Sequence, residues 1–540
     1  MKKILVFLAV CFVFCMAGIS AEAGTYIYKN KIPENAEDIN WLVNLEKEAG
    51  STYVIMIEKE IKVEETIVIP KGVSIILRRT ESAGKLMQRT GHKEEAMFKV
   101  QSGGSLSIEN EVSGSAFYIQ GTNSTSGTPI TRTVPLAYVY GTFEIKSGVI
   151  FNRCVLGSSS LSGTVFNVGS GGVLNMKGGT ISGVSQTQGS GGAIAVLTGG
   201  KANLSGGVIS GCTAKNNGGA VFVYLGGAVD ISGTKIKSNS AGKSGGGIYN
   251  IGGSVSVGSC EISGNKAADG NGIYTVDGKR EEVLYSSSFS LYAKPTISDE
   301  VCIKSFPAEI KKDFCAETAI PLVLGKNSLG TEVFECEEDA SNYSDMFIVL
   351  GFTTEGAEVD KHVLSANGNK LCLNKMYTVK FLDYDGEILS TEYVLCGEDS
   401  TPPIPSEREG YKFVNWSGST LNITSDITLS PVYEKLNTIF VYINGEKQEG
   451  KVSLPANSSH NIEVYAYSTE NAELMLAEYK NGVFVRALKS EESSDDKYAL
   501  SLEAGFDENT ELKAMLWLSN GSLQPVAAAR SISFEGISNE

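Results

Sequence analysis

The chain has 540 residues, a formal net charge of −16, and 60 glycines against only 13 prolines. Such acidity disfavours a nucleic-acid ligand, whose phosphates want a basic patch, and an acidic, soluble exterior is the expectation. The length exceeds one ordinary domain, and the glycine excess calls for a search for repeats, because a solenoid lengthens without widening its core.

Residues 1–23 read as a secretory signal peptide: Lys2 and Lys3 are followed by an apolar run from Ile4 to Ile19 and a small-x-small site at Ala21-Glu22-Ala23. The run falls short of the roughly 20 residues a membrane span needs. No transmembrane segment is expected, and the location is extracellular, secreted or associated with the cell surface. Residues 24–60 read as an N-terminal cap, with a helix predicted over Asn35 to Ala49 from Ile39, Leu42, Val43 and Leu45 at helical spacing and Gly50 as its stop. Glu65 to Arg78 then reads as a first strand pair around a Pro70-Lys71-Gly72 turn.

Residues 61–376 carry the repeat. GGVLNMKGGTISG from Gly171 recurs as GGKANLSGGVISG from Gly199, GGAVDISGTKIKSN from Gly226 and GGSVSVGSCEISGN from Gly252, in steps of 28, 27 and 26 residues. Between these lie GGAIAV, GGAVFV, GGGIYN and GNGIYT, and two weaker copies precede them at Gly103 and Gly141. Apolar and polar residues alternate within each segment, which is the strand period. Stacked, the copies make an apolar column (Leu106, Phe143, Leu174, Ala202, Val229, Val255) and, two positions on, another (Ile108, Ile145, Met176, Leu204, Ile231, Val257). The residue between is always polar: Ser107, Glu144, Asn175, Asn203, Asp230, Ser256. One coil cannot bury its own apolar face, so stacking at roughly 4.8 Å per coil must do so. Glycines belong at the corners, where φ is positive or packing is close. A corner column, Val184, Cys212, Asn239, Asn265, predicts a short asparagine ladder and makes Cys212 a core residue. The expected fold class is therefore all-β, a right-handed parallel β-helix.

The pattern resembles the pectate-lyase-like β-helix regions of adhesin-like proteins from anaerobic bacteria, over roughly residues 60–280. Beyond Val276 the glycine period fades, and residues 280–376 read as degenerate final coils.

Residues 377–434 show short alternating strands broken by Asp385-Gly386, Pro402-Pro403 and Glu409-Gly410. On Val379, Phe381, Asp385-Gly386, Gly397, Pro403, Pro405, Gly410-Tyr411-Lys412-Phe413, Trp416, Ile423, Asp426-Ile427 and Tyr433, the segment resembles the Listeria–Bacteroides repeat, the B-repeat of internalin-type surface proteins. The resemblance implies a small β-grasp-like module, with Trp416 in its core. Residues 435–540, with runs such as IFVYING and NIEVYAYS, read as a β-sandwich-like module.

Eight cysteines lie beyond the signal segment without a CxxC, and His92, His362 and His460 are far apart, so no metal site and no cofactor is expected. A glycosidase needs two carboxylates about 5–9.5 Å apart, but Glu144 and Asp230 lie three coils apart in their column, roughly 14 Å. Glu261 faces Lys235 and reads as an ion pair. No catalytic residue is assigned, and a polysaccharide lyase or glycoside hydrolase stands as the runner-up to a binding role. The ligand-binding candidates are Phe222, Tyr249 and Tyr274, aromatics on successive coils that read as an exposed flat ladder for glycan rings or a cell-surface partner. Simple stabilisation of the strand ladder, or a covering loop, is the preferred account of the same three residues. A purely structural spacer is the third reading, and a monomer is expected.

Overall fold

The computed structural model describes residues 25–28, 33–44, 51–91, 94–122, 129–159, 163–325, 328–352, 361–490, 497–519 and 524–535. The predicted signal peptide and His92 lie outside these residues. The protein is all-β, 54% strand and 3% helix, with a β-solenoid of about ten turns. It divides into two compact units, Met1–Lys375 and Met376–Glu540, and the division falls within the strand Lys370–Leu382.

The solenoid is built from parallel strands whose register follows the sequence columns. Ile75, Leu106, Phe143, Leu174, Ala202, Val229, Val255 and Phe289 are successive partners, and all are buried. A second parallel sheet of eleven strands runs from Ile67–Ile69 to Phe347–Phe352. The interior between the sheets is filled by columns that meet edge to face: Phe143 and Phe166 lie 4.9 Å apart between ring centroids, and Phe151 and Phe166 5.1 Å. Edge-to-face rings gain quadrupole attraction beyond their buried area.

Two glycine columns make the corners possible. Gly171, Gly199, Gly226 and Gly252 hold φ between +62° and +76°, where a Cβ meets its own backbone. At Gly192, Gly219 and Gly246 the constraint is proximity: a Cβ would lie 1.8, 2.2 and 2.4 Å from a carbonyl oxygen of the next coil. The recurring GG pair is thus one residue for the turn and one for close approach.

The stack starts before the glycine signature does. Thr25–Tyr28 already pairs in parallel with Thr52–Ile57, and that strand with Ser74–Arg79; the runs TYIY and TYVIMI carry no glycine to mark them. The helix is shorter than its apolar spacing suggests, Ala36–Val43, with the Asn35 side chain accepting from the Asp38 amide at 2.9 Å. Residues 45–49 of the predicted helix, and Gly50, its predicted stop, lie outside the described residues. Asn40 on this helix donates to the Thr66 carbonyl at 3.0 Å and accepts from the Val68 amide at 3.1 Å. It thereby occupies backbone groups of the first strand of the eleven-stranded sheet, where a neighbouring strand would otherwise pair. At the other end, the parallel order gives way to antiparallel pairing among Glu332–Cys336, His362–Asn367 and Lys370–Leu382.

In the second unit, Lys370–Leu382 pairs with Ile388–Leu395 and Ile427–Leu429, beside the hairpin Tyr411–Trp416 and Pro431–Lys435. Val379, Phe381, Val394, Trp416, Ile423 and Leu429 form its core, so Trp416 packs inward, 4.8 Å from the Phe381 ring centroid. Beyond it, a four-stranded sheet and a five-stranded sheet share one core that includes Val441, Val464, Leu474 and Leu516. No helix among the described residues is long and apolar enough to cross a membrane.

Candidate functional site

Phe222, Tyr249 and Tyr274 are register partners on three successive strands, Val221–Tyr224, Ile248–Ile251 and Ile273–Val276. Their rings stack nearly parallel, at 5.8 Å and 12° for the first pair and 5.1 Å and 11° for the second. The structure therefore brings the three candidates together, but it corrects their exposure. Phe222 is 3% and Tyr274 6% exposed, and Tyr249 is half-buried. The reason is geometric: rings stacked along the solenoid axis use their faces on one another. Lys304 Nζ covers Tyr274 from the far side, 5.2 Å from the centroid. The glycine-rich corners close in from the flank, since a Cβ at Gly191 would lie 3.2 Å from Phe222 Cβ and one at Gly270 3.1 Å from Tyr274 Cβ. A sugar ring stacks on a free aromatic face, and this ladder offers chiefly the half-buried edge of Tyr249. Burial, with Tyr274 beside it, pushes the Tyr249 phenol up to about 12, so it is neutral at physiological pH.

The outward carboxylates are engaged from coil to coil. Glu109 meets Arg78 at 2.8 Å and Lys146 at 2.6 Å, Glu144 meets Lys177 at 2.6 Å, and Glu261 meets Lys235 at 2.8 Å, the last as its spacing foretells. Asp230 accepts from the Tyr292 hydroxyl at 2.8 Å. Burial alone would raise the Glu109 carboxyl, yet hydrogen bonds from Lys146 and Arg78 hold it below its ordinary value. Hydrogen bonds from Lys235 and Ser263 likewise hold Glu261 down. Depressed carboxyls suit ion pairs; a general acid needs the opposite shift.

Cys154 and Cys212 lie at the inner corner, and burial pushes both thiols up to about 12. They are packing residues, because the thiolate is the reactive form. Among the described residues no group of three or more His, Cys, Asp and Glu side chains has a metal-holding arrangement.

The second unit carries surface of its own, outside the repeat. Pro402, Pro403, Ile404 and Pro405 wall a shallow open groove floored by Phe413, Asn415 and Trp416, and Ile404 is 93% exposed. On the four-stranded sheet Phe440, Tyr442 and Tyr465 point away from the core. The signal for them is in the sequence: in IFVYING and NIEVYAYS the aromatics fall on the positions alternate to the buried Ile439, Val441, Ile462 and Val464. Set against known proteins, the chain matches no family model, no curated protein and no solved structure.

Proposed function

We propose that this is a secreted or cell-surface, adhesin-like protein that binds and does not catalyse. In this reading the solenoid is the scaffold, and residues 376–540, as β-grasp-like and β-sandwich-like modules, carry the contact surface for glycans or cell-surface partners. The observation that supports it is the distribution of exposed apolar side chains. Of the eighteen exposed large hydrophobics among the described residues, eleven lie in the second unit, which is less than half as long as the first. Clustered exposed apolar surface marks interaction sites, whereas scattered residues need no explanation. The solenoid, by contrast, stacks Phe222, Tyr249 and Tyr274 on one another and pairs Glu109, Glu144 and Glu261 with basic side chains of neighbouring coils.

The test is to express residues 25–375 and 377–540 separately and compare both with the full chain on glycan arrays and on cells. Binding should follow residues 377–540. Binding by the solenoid alone, or release of reducing sugar from mixed polysaccharides by the full chain, would overturn the reading.

A further inference from the structure

The four-stranded sheet of the second unit comprises Thr438–Ile443, Glu446–Gln448, Ser459–Tyr467 and Lys497–Gly505. One face is core, with Ile439, Val441, Ile462 and Val464 buried. The opposite face is aromatic. Phe440 stands directly across from Tyr465, and Tyr442 is across from Glu463. These four are half-exposed, and Tyr467, two residues beyond Tyr465 on the same strand, is buried. Tyr442 and Tyr465 lie edge to face, 5.5 Å apart at 75°, so their contact uses a face of one ring only, where each contact of the solenoid ladder uses a face of both.

The next strand leaves room beside them. The residues paired with Tyr465 and Glu463 are Ala499 and Ser501, both small and exposed. They form a shelf along the flank of Tyr465. Polar groups of both signs line the same face. Lys447 Nζ sits 4.1 Å from the Phe440 centroid and Lys497 Nζ 3.8 Å from that of Tyr465. Glu463 accepts from the Tyr465 hydroxyl at 3.2 Å and from Asn461 Nδ2 at 3.3 Å. Glu409 accepts from the Tyr442 and Tyr467 hydroxyls. A lysine on a ring face at an exposed site is held only weakly, and its flexible stem can swing aside without moving the backbone.

We propose that this face binds an uncharged glycan, with Phe440, Tyr442 and Tyr465 as the stacking platform. The choice of ligand follows from the charges. An anionic polymer would meet Glu409 and Glu463; a cationic one would meet Lys447 and Lys497. A pyranose has an apolar CH face for the rings and hydroxyls that both donate and accept, which matches ammonium donors and carboxylate acceptors side by side. On binding, Lys447 and Lys497 leave the ring faces and donate to sugar hydroxyls. The inference deepens the binding role proposed above and rests on it.

The experiment uses the full chain, titrated with cello-, malto- and laminari-hexaose as neutral probes and polygalacturonate as the acidic one. At least one neutral hexaose should bind, and its affinity should change little between low and high salt, because no ion pair is made with the ligand. Tyr465→Ala should weaken it by about tenfold or more. Ala499→Arg, at an exposed position, should weaken it to a similar degree by filling the shelf, with an unchanged melting temperature to show that the fold is intact. Hexaose binding that both substitutions leave untouched overturns this site while sparing the wider binding role. Binding of polygalacturonate alone, lost as salt rises, overturns the uncharged ligand. A full chain that binds no glycan and no cell overturns both.

Discussion

Asn265 shows how one side chain holds coils together. Its Oδ1 accepts from the amide and the side-chain nitrogen of Asn239, both at 3.0 Å, and its Nδ2 donates to the Ile236 carbonyl at 2.9 Å and to Asp299 at 2.7 Å. Asp299 ends the ladder by also accepting from the amides of Gly264 and Asn265. Removing one member of a buried network strands its partners, at about 1–3 kcal/mol per unsatisfied group. Asn265→Ala should therefore destabilise the solenoid by a free energy in that range or above, read as a lower urea midpoint, and an unchanged midpoint would show that the ladder does not contribute to stability. The asparagines were legible because they occupy one place in a 26-residue period. Asp299 was not: it follows the fading of the glycine period and comes 34 residues after Asn265, so no spacing rule points to it.

At the scale of elements, the aromatic ladder is a device of cohesion. Tyr249 is sandwiched between Phe222 and Tyr274, and its loss leaves two ring faces without a partner inside a packed strand. Tyr249→Ser should destabilise the solenoid by about 1–3 kcal/mol, the sum of two stacked pairs at about 0.5–1.5 kcal/mol each. Glycan or cell binding by the full chain should stay as it was. A variant with wild-type stability and lost binding would return the ladder to the list of ligand sites. The sequence identified the column, and the three residues are register partners as it predicts. It did not reveal that the rings face along the axis, because side-chain orientation depends on the rotamers that the flanking corners and neighbouring coils permit.

For the whole solenoid, the coil-to-coil ion pairs give a pH dependence with a definite sign. Glu109 and Glu261 are held below their ordinary carboxyl values in the folded chain, so the unfolded chain binds protons more readily at mildly acid pH. The stabilisation is present above the unfolded carboxyl value of about 4.3 and is lost as pH falls through the lower folded values. The thermal midpoint should drop on acidification below that point, and Glu261→Gln should flatten the drop. Circular dichroism melts at a series of pH values check both, and a midpoint independent of pH through this range would show that the pairs do not contribute.

By itself, the sequence determined the solenoid: its columns, its coil length and its corner glycines repeat, and a repeat writes the same contact many times over. The same logic named the inward tryptophan of the next module, since so small a core must contain its large aromatics. Only the tertiary structure decided what happens once. It began the stack with Thr25–Tyr28 paired to Thr52–Ile57, set Asn40 against the first strand of the eleven-stranded sheet, and turned the Phe222–Tyr249–Tyr274 faces on one another. It also left Phe440, Tyr442 and Tyr465 half-open beside the small residues Ala499 and Ser501. These outcomes rest on pairings between segments distant in the chain, and burial belongs to the partner as much as to the residue.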